Sequence, residues 1–351
     1  LSFVDQYHLV RVQKRRRKAW YRRDPGTPEG REAYKIARKN EGQFVRAFLE
    51  ALKTMWTPKA ERDVKRAIRE RSAVKVLEAV PVAQEAESEV WEKFRERIMR
   101  AYAQVMQEAG DDATERMNAK FKTRMRFGLE TAEDRGGEET IEKAVSEGLR
   151  AADEEMMVPI NPYSKKWMEE RATHLIEEGL TWSQREVVTD VLSDGFSRGL
   201  RAEEIFGEIK ANVGLTPRWS KAVQNRKEML RAAGVDEDEV RRQGDAYREE
   251  LLGKRAQMIA RTETITAQAQ GRNDAWKIAQ DSGKLPEVRR RWLTAGPTGN
   301  PDNPCEICLE LDGKTAKLGE PYESAYIGAV DMPGESAHPH CGCTETLERV
   351  E

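Results

Sequence analysis

The chain has 351 residues, 60 Lys and Arg against 62 Asp and Glu, a formal net charge of −2, 38% hydrophobic residues and a mean hydropathy of −0.79. This balance excludes a surface uniformly basic for nucleic acid, and so small an apolar share suits elongated, well-exposed helices better than a compact enzyme. No apolar run is long enough to span a bilayer and the first thirty residues lack the apolar block of a secretory signal, so the chain reads as soluble and unexported, with no membrane partner.

The chain opens on a basic arm, residues 1–28, in which Arg11, Lys14, Arg15, Arg16, Arg17, Lys18, Arg22 and Arg23 are interleaved with Trp20 and Tyr21. Clustered cations beside aromatic rings can contact phosphates and stack on bases, so this arm is the candidate nucleic-acid-binding segment; a solvated or protein-docking arm is the alternative. A turn is expected at Asp24-Pro25-Gly26-Thr27-Pro28, followed by a helical domain over 29–158. Its clearest helix places Val90, Phe94, Ile98, Tyr102 and Val105 at spacings of three and four, a stripe that needs a partner helix. Gly136-Gly137 separates two of these helices, and the prolines at 159 and 162 mark a boundary.

A second helical domain is expected over 159–258. Ser183 and Glu186 have capping-box spacing ahead of Val187, Val188, Val191 and Leu192, which predicts a helix start there. The next helix buries Ile205, Phe206, Ile209 and Val213 and stops at Gly214, and Thr216-Pro217 supplies an N-cap and a first-turn proline for another that runs to Gly234. A further helix is predicted from Glu237 to Gln280 with a break near Gly253, and then a short strand from Val288 to Ala295 centred on Trp292. The rest, rich in glycine, proline and turn residues, cannot be a helical bundle. The expected fold is mainly α: extended helical N-terminal and middle blocks followed by a small α+β, zinc-stapled C-terminal module over 259–351.

All four cysteines fall in the last fifty residues, as Cys305-x-x-Cys308, a 29-residue gap, and His338-x-x-Cys341-x-Cys343. A C-x2-C turn presents two thiolates to one tetrahedral ion and a distant H-x2-C closes the shell, so a loop is held without a large core. The candidate ligands are therefore Cys305, Cys308, His338, Cys341 and Cys343. His340 is disfavoured because it adjoins Cys341, and neighbouring side chains in extended chain point apart. The alternative is two disulfides, which an unexported protein rarely keeps. Four protein ligands leave no open position for water, so the zinc would be structural.

Catalytic signatures are weak. Gly313-Lys314-Thr315 ends like a phosphate-binding loop, but Cys308 stands where its first glycine is required. No Gly-x-Ser-x-Gly elbow occurs, no cysteine lies outside the cluster, and His8 and His174 read as surface and helix-face residues. The chain is not expected to be an enzyme.

The C-terminal sequence carries a resemblance. Ile259-Ala260-Arg261-Thr262-Glu263-Thr264, Gly271, Trp292-Leu293-Thr294, Cys305-x-x-Cys308, Leu311-Asp312-Gly313-Lys314 and His338-Pro339-His340-Cys341-Gly342-Cys343 together resemble the phage Mu F-like minor head proteins. The likeness runs from about Leu180 to the end and lies in the order and spacing of these elements; Gly342 departs from the arginine common at that place in the family. It implies a low-copy structural protein of a tailed-phage capsid at the portal vertex, acting in head morphogenesis and in DNA packaging or ejection. Its partners would be the portal protein, the major capsid or scaffolding protein and packaged double-stranded DNA. Its location would be the virion, with the host cytoplasm during assembly. Arg261 and Glu263 are then read as a packing or salt-bridge pair, and the eight residues after Cys343 give no expectation of the toxin or enzyme domain that some relatives carry there. The rival reading is a zinc-stabilised nucleic-acid-binding protein or nuclease.

Overall fold

The computed structural model describes residues 27–83, 88–121, 162–294, 306–334, 336–338 and 341–350. The basic arm with Arg11, Lys14, Arg15, Arg16, Arg17, Lys18, Arg22 and Arg23, the Gly136-Gly137 separator and the boundary at 158–159 lie outside these residues, as do Cys305 and His340. The described chain is mainly helical: α1 (Pro28–Thr54), α2 (Pro58–Arg69), α3 (Ala73–Ala79), α4 (Glu89–Phe121), α5 (Pro162–His174), α6 (Trp182–Ser197), α7 (Ala202–Asn212), α8 (Pro217–Ala232) and α9 (Glu237–Asp281). A small α+β module follows, with β1 (Val288–Leu293), α10 (Glu306–Leu311), β2 (Thr315–Lys317), β3 (Tyr322–Ser324), β4 (Gly328–Val330) and β5 (Thr344–Arg349). Packing sorts the described residues into two units built from separated segments, one within Val45–Ile98 and Glu170–Gln257, the other from 27–44, 99–121, 162–169 and 258–350.

In the first unit, the local signals set the helix ends. Thr57 accepts a hydrogen bond from the Ala60 N–H ahead of Pro58, and Thr216 accepts one from the Trp219 N–H ahead of Pro217, so both helices begin with a hydroxyl cap and a proline that has no N–H to leave unpaired. Ile205, Phe206, Ile209 and Val213 are buried, and the edge of Trp56 packs on Phe206 at 5.4 Å between ring centroids. Gly214 ends this run at φ +94°, a conformation that favours glycine. The buried Gln184 bridges the turn: its Oε1 accepts from Gly214 N at 2.7 Å and its Nε2 donates to Leu215 O at 3.0 Å.

Two boundaries differ from expectation. Ser183 does not start a helix, because a π-helical stretch, Leu175–Thr181, carries the chain directly into α6 and Ser183 Oγ donates to the Leu180 carbonyl inside it. The side chains expected to be buried there, Val187, Val188, Val191 and Leu192, are buried. Nor does α9 break at Gly253; it runs unbroken for 45 residues. One interior glycine costs only about 1 kcal/mol, and burial of Leu251, Leu252 and Ala256 around it outweighs that cost.

In the second unit, Phe44 of α1, Tyr102 of α4 and Trp167 of α5 stack in tilted and edge-on pairs, each 5.4 Å between centroids. Gly271 of α9 faces the backbone of α4 so closely that a Cβ would stand 2.8 Å from Met106 Cα. Arg261 and Glu263 are not a pair: two positions apart on a helix they face different sides, and Arg261 Nη1 meets Glu41 at 2.8 Å while Glu263 accepts from the Tyr102 hydroxyl at 2.5 Å. The three-stranded sheet has the order β2-β1-β5, all antiparallel, with Arg290 opposite both Ala316 and Leu347; β3 and β4 form a separate hairpin. Val288 and Leu347 on one face join Ala113 and Met117 of α4 and Ala275, Trp276 and Ala279 of α9 in one apolar cluster.

A candidate metal centre in the C-terminal module

The site is assembled from two segments that the sheet brings together. Cys308 lies on the short helix α10, and Cys341 and Cys343 immediately precede β5. Because β1 pairs with β5 along its length and also exchanges hydrogen bonds with the turn after α10 (Trp292 N to Lys314 O at 2.9 Å, Gly313 N to Trp292 O at 3.0 Å), both segments are registered against the same strand. Thr294 completes the tie: its hydroxyl donates to Cys308 O at 2.6 Å and its N–H to Asp312 Oδ1 at 2.8 Å.

The turn carrying His338 is set by α9. Gly334 has φ +119° and stands so near the helix that a Cβ would approach Thr266 Cα to 2.9 Å, and from there Gly334 O accepts from the N–H groups of Ala337 and His338. Cys341 N then donates to His338 O at 3.2 Å, folding the chain back toward α10.

The sulfur atoms of Cys308, Cys341 and Cys343 lie within 4.8 Å of one another, and all three residues are buried, among Trp292, Leu311, Tyr322 and Val330. None of these three cysteines forms a disulfide. His338 Nε2 is 3.0 Å from Cys308 Sγ, and Cys308 Sγ is 3.8 Å from Cys341 Sγ. A tetrahedral ion with metal–sulfur bonds of about 2.3 Å sets its sulfurs about 3.8 Å apart, so this donor set fits a metal ion. Hydrogen bonding with Cys341 and Cys343, then burial, pushes the Cys308 thiol up. Hydrogen bonds from Cys308 and Cys343 hold Cys341 well below the ordinary thiol range against burial, assisted by the backbone at Cys343 and Gly334, which favours the thiolate there.

Four of the five expected ligands thus lie in the described residues: the fold gathers Cys308, Cys341 and Cys343 into one group, and His338 approaches that group at Cys308. Lys314, of the loop dismissed for phosphate binding, is engaged with Glu310 and donates to Glu323 O at 2.7 Å. Sequence reasoning missed the support beneath the cysteines. Arg290 Nη1 meets Glu345 Oε1 at 2.9 Å and donates to Asp331 O at 2.8 Å, the Tyr322 hydroxyl donates to the same carboxylate at 3.0 Å, and Asn273 Nδ2 reaches its other oxygen at 3.2 Å. An arginine in a strand otherwise facing the core at Val288 and Trp292 was the available signal, since an inward cation requires a buried acid.

Among the described residues, no helix is long and apolar enough to cross a membrane. In comparisons with known proteins, no family model, no curated sequence and no solved structure matches the chain.

Proposed function

We propose that the chain is a minor head protein of a tailed phage, seated at the portal vertex and acting in head morphogenesis, with a C-terminal module held by one structural zinc ion. The observation that carries this reading is the convergence of Cys308, Cys341 and Cys343 beside His338, in a sheet that follows the helix bearing Ala260-Arg261-Thr262-Glu263. Three buried thiolates favour a thiophilic tetrahedral ion, of which zinc is the redox-inert choice. Cys308, Cys341 and Cys343 would hold it, with His338 or Cys305 as the fourth donor, leaving no coordination position for water. Bound zinc supplies a cross-link between α10 and the entry to β5. The residues around it supply rigidity: Thr294 fixes Cys308, and the Gly334 turn fixes the approach to Cys341.

Portal protein, major capsid or scaffolding protein would be the partners of the helical blocks, and packaged double-stranded DNA the partner of the arm from Arg11 to Arg23. Two measurements test this reading. Elemental analysis of the purified, reduced chain reads one zinc, lost in Cys308→Ser and Cys341→Ser; no zinc in the parent overturns the metal assignment. Mass spectrometry of purified particles from the source phage finds the chain at low copy; its absence from particles, or metal-dependent DNA cleavage by the purified chain, overturns the structural role.

A further inference from the structure

We infer that the cleft between the end of α4, α9 and β5 is a binding site for a carboxylate carried on a short apolar stem, with Arg272 as the anchor. The cleft has a volume of about 370 Å³, and its walls include Met117, Phe121, Trp276 and Leu347, which suit a hydrocarbon chain. Arg272 also lines it, yet the residue is only 4% exposed.

The inference rests on how the neighbouring charges are spent. Three acids act on Arg272: Asp112, Glu345 and, least, Glu29. Asp112 takes the Arg116 Nε at 2.8 Å, and both oxygens of Glu345 are occupied, one by Arg290 and Tyr322 and the other by Asn273. Among the described residues, the hydrogen bond made by Arg272 is a single one, from Nη2 to Gln268 Oε1 at 3.2 Å. Gln268 must turn its oxygen to the guanidinium to make it, and its own buried Nε2 is left without a partner. A guanidinium has five N–H donors, stays charged when buried and is costly to bury unpaired, so the surplus donors facing the cleft call for an acceptor.

A carboxylate matches the planar fork of an arginine with two parallel hydrogen bonds. The flanking Asp112, Glu345 and Glu29 favour a single negative charge over a doubly charged phosphate, and the apolar walls exclude a bare inorganic ion as the best fit. The same chemistry is offered by a free short-chain acid or by an acidic side chain or C-terminus of a peptide. No cysteine lines the cleft, and the inference does not depend on the proposed role in the phage head.

The test uses the full-length protein and hexanoate, read by saturation transfer from protein to ligand protons, with hexanamide and inorganic phosphate as parallel probes and a Leu-Glu dipeptide as the peptide arm. Hexanoate is expected to receive transfer and hexanamide and phosphate not; a stronger response from the dipeptide assigns the site to a peptide source, a weaker one to a free acid. Arg272→Lys keeps the charge but loses the fork and should weaken binding about tenfold. Ala119→Trp, at an exposed position on the cleft wall, should abolish binding without touching the core. Equal transfer to hexanamide, no transfer to hexanoate, or binding unchanged in Ala119→Trp each overturns the inference.

Discussion

Arg290 of β1 and Glu345 of β5, the latter two residues after Cys343, form an ion pair at 2.9 Å with side chains only 3% and 0% exposed. Glu345 lies diagonally across from Arg290 in the β1–β5 register, so the pair fixes the alignment of the two strands as well as filling the space under Tyr322. Removing one partner of a buried pair leaves an uncompensated charge and costs about 3–5 kcal/mol, whereas replacing both with apolar groups is often neutral. Arg290→Met should therefore lower the thermal midpoint sharply, and Arg290→Met with Glu345→Leu should recover much of the loss. A double variant as unstable as the single one would show that hydrogen bonds to Asp331, Asn273 and Tyr322 dominate instead.

Two helical glycines should respond in opposite directions to the same substitution. At Gly271 an added Cβ meets the α4 backbone at Met106, which cannot rotate away, so Gly271→Ala should destabilise by about 1–3 kcal/mol. At Gly207, inside α7, nothing lies within 4 Å of the added carbon, and Gly207→Ala should stabilise by about 0.5–1 kcal/mol. Denaturant midpoints of the two variants against the parent check both signs.

The acid response has an assignable component at Glu108. Burial pushes its carboxyl up, but hydrogen bonds from Lys39, Gln104 and Asn40 outweigh burial and hold it below the usual carboxylate range. A carboxyl lowered by folding contributes stability that is present above its unfolded pKa and is lost as the pH falls through the folded one. Stability measured from neutral to acid pH should fall less steeply in Glu108→Gln than in the parent. Parallel curves would mean that other carboxylates carry the acid transition.

Metal removal should act locally. An ion bridging Cys308 to Cys341 and Cys343 closes a loop with little core of its own, so a strong chelator under reducing conditions should speed amide exchange across 306–349. Exchange at Gly214 and Leu215, held by Gln184, should not change. No change in either region would argue against a bound ion.

The helix ends governed by local chemistry were legible in the sequence. Thr216-Pro217 and Gly214 act within one turn of chain, where a hydroxyl, a fixed φ or a missing Cβ decides the outcome without any distant partner. The cysteine and histidine spacing likewise announced a common site, because metal ligands come in short, chemically distinctive groups. Ser183 misled for a related reason: a capping-box spacing offers a cap, but the π-helical stretch before it supplies hydrogen bonds that make a cap redundant.

What the sequence by itself determined is the class of the protein: helices by periodicity, a turn-rich end by composition, and the residue types of the candidate metal site. Only the tertiary structure decided which segments pack together, since the two units draw on stretches far apart in the chain and the apolar stripe of one helix is compatible with many partners. It alone decided that Glu345 is committed to Arg290, leaving Arg272 with donors to spare, because a charge written in the sequence gives its sign but not the distance or burial that sets its partner.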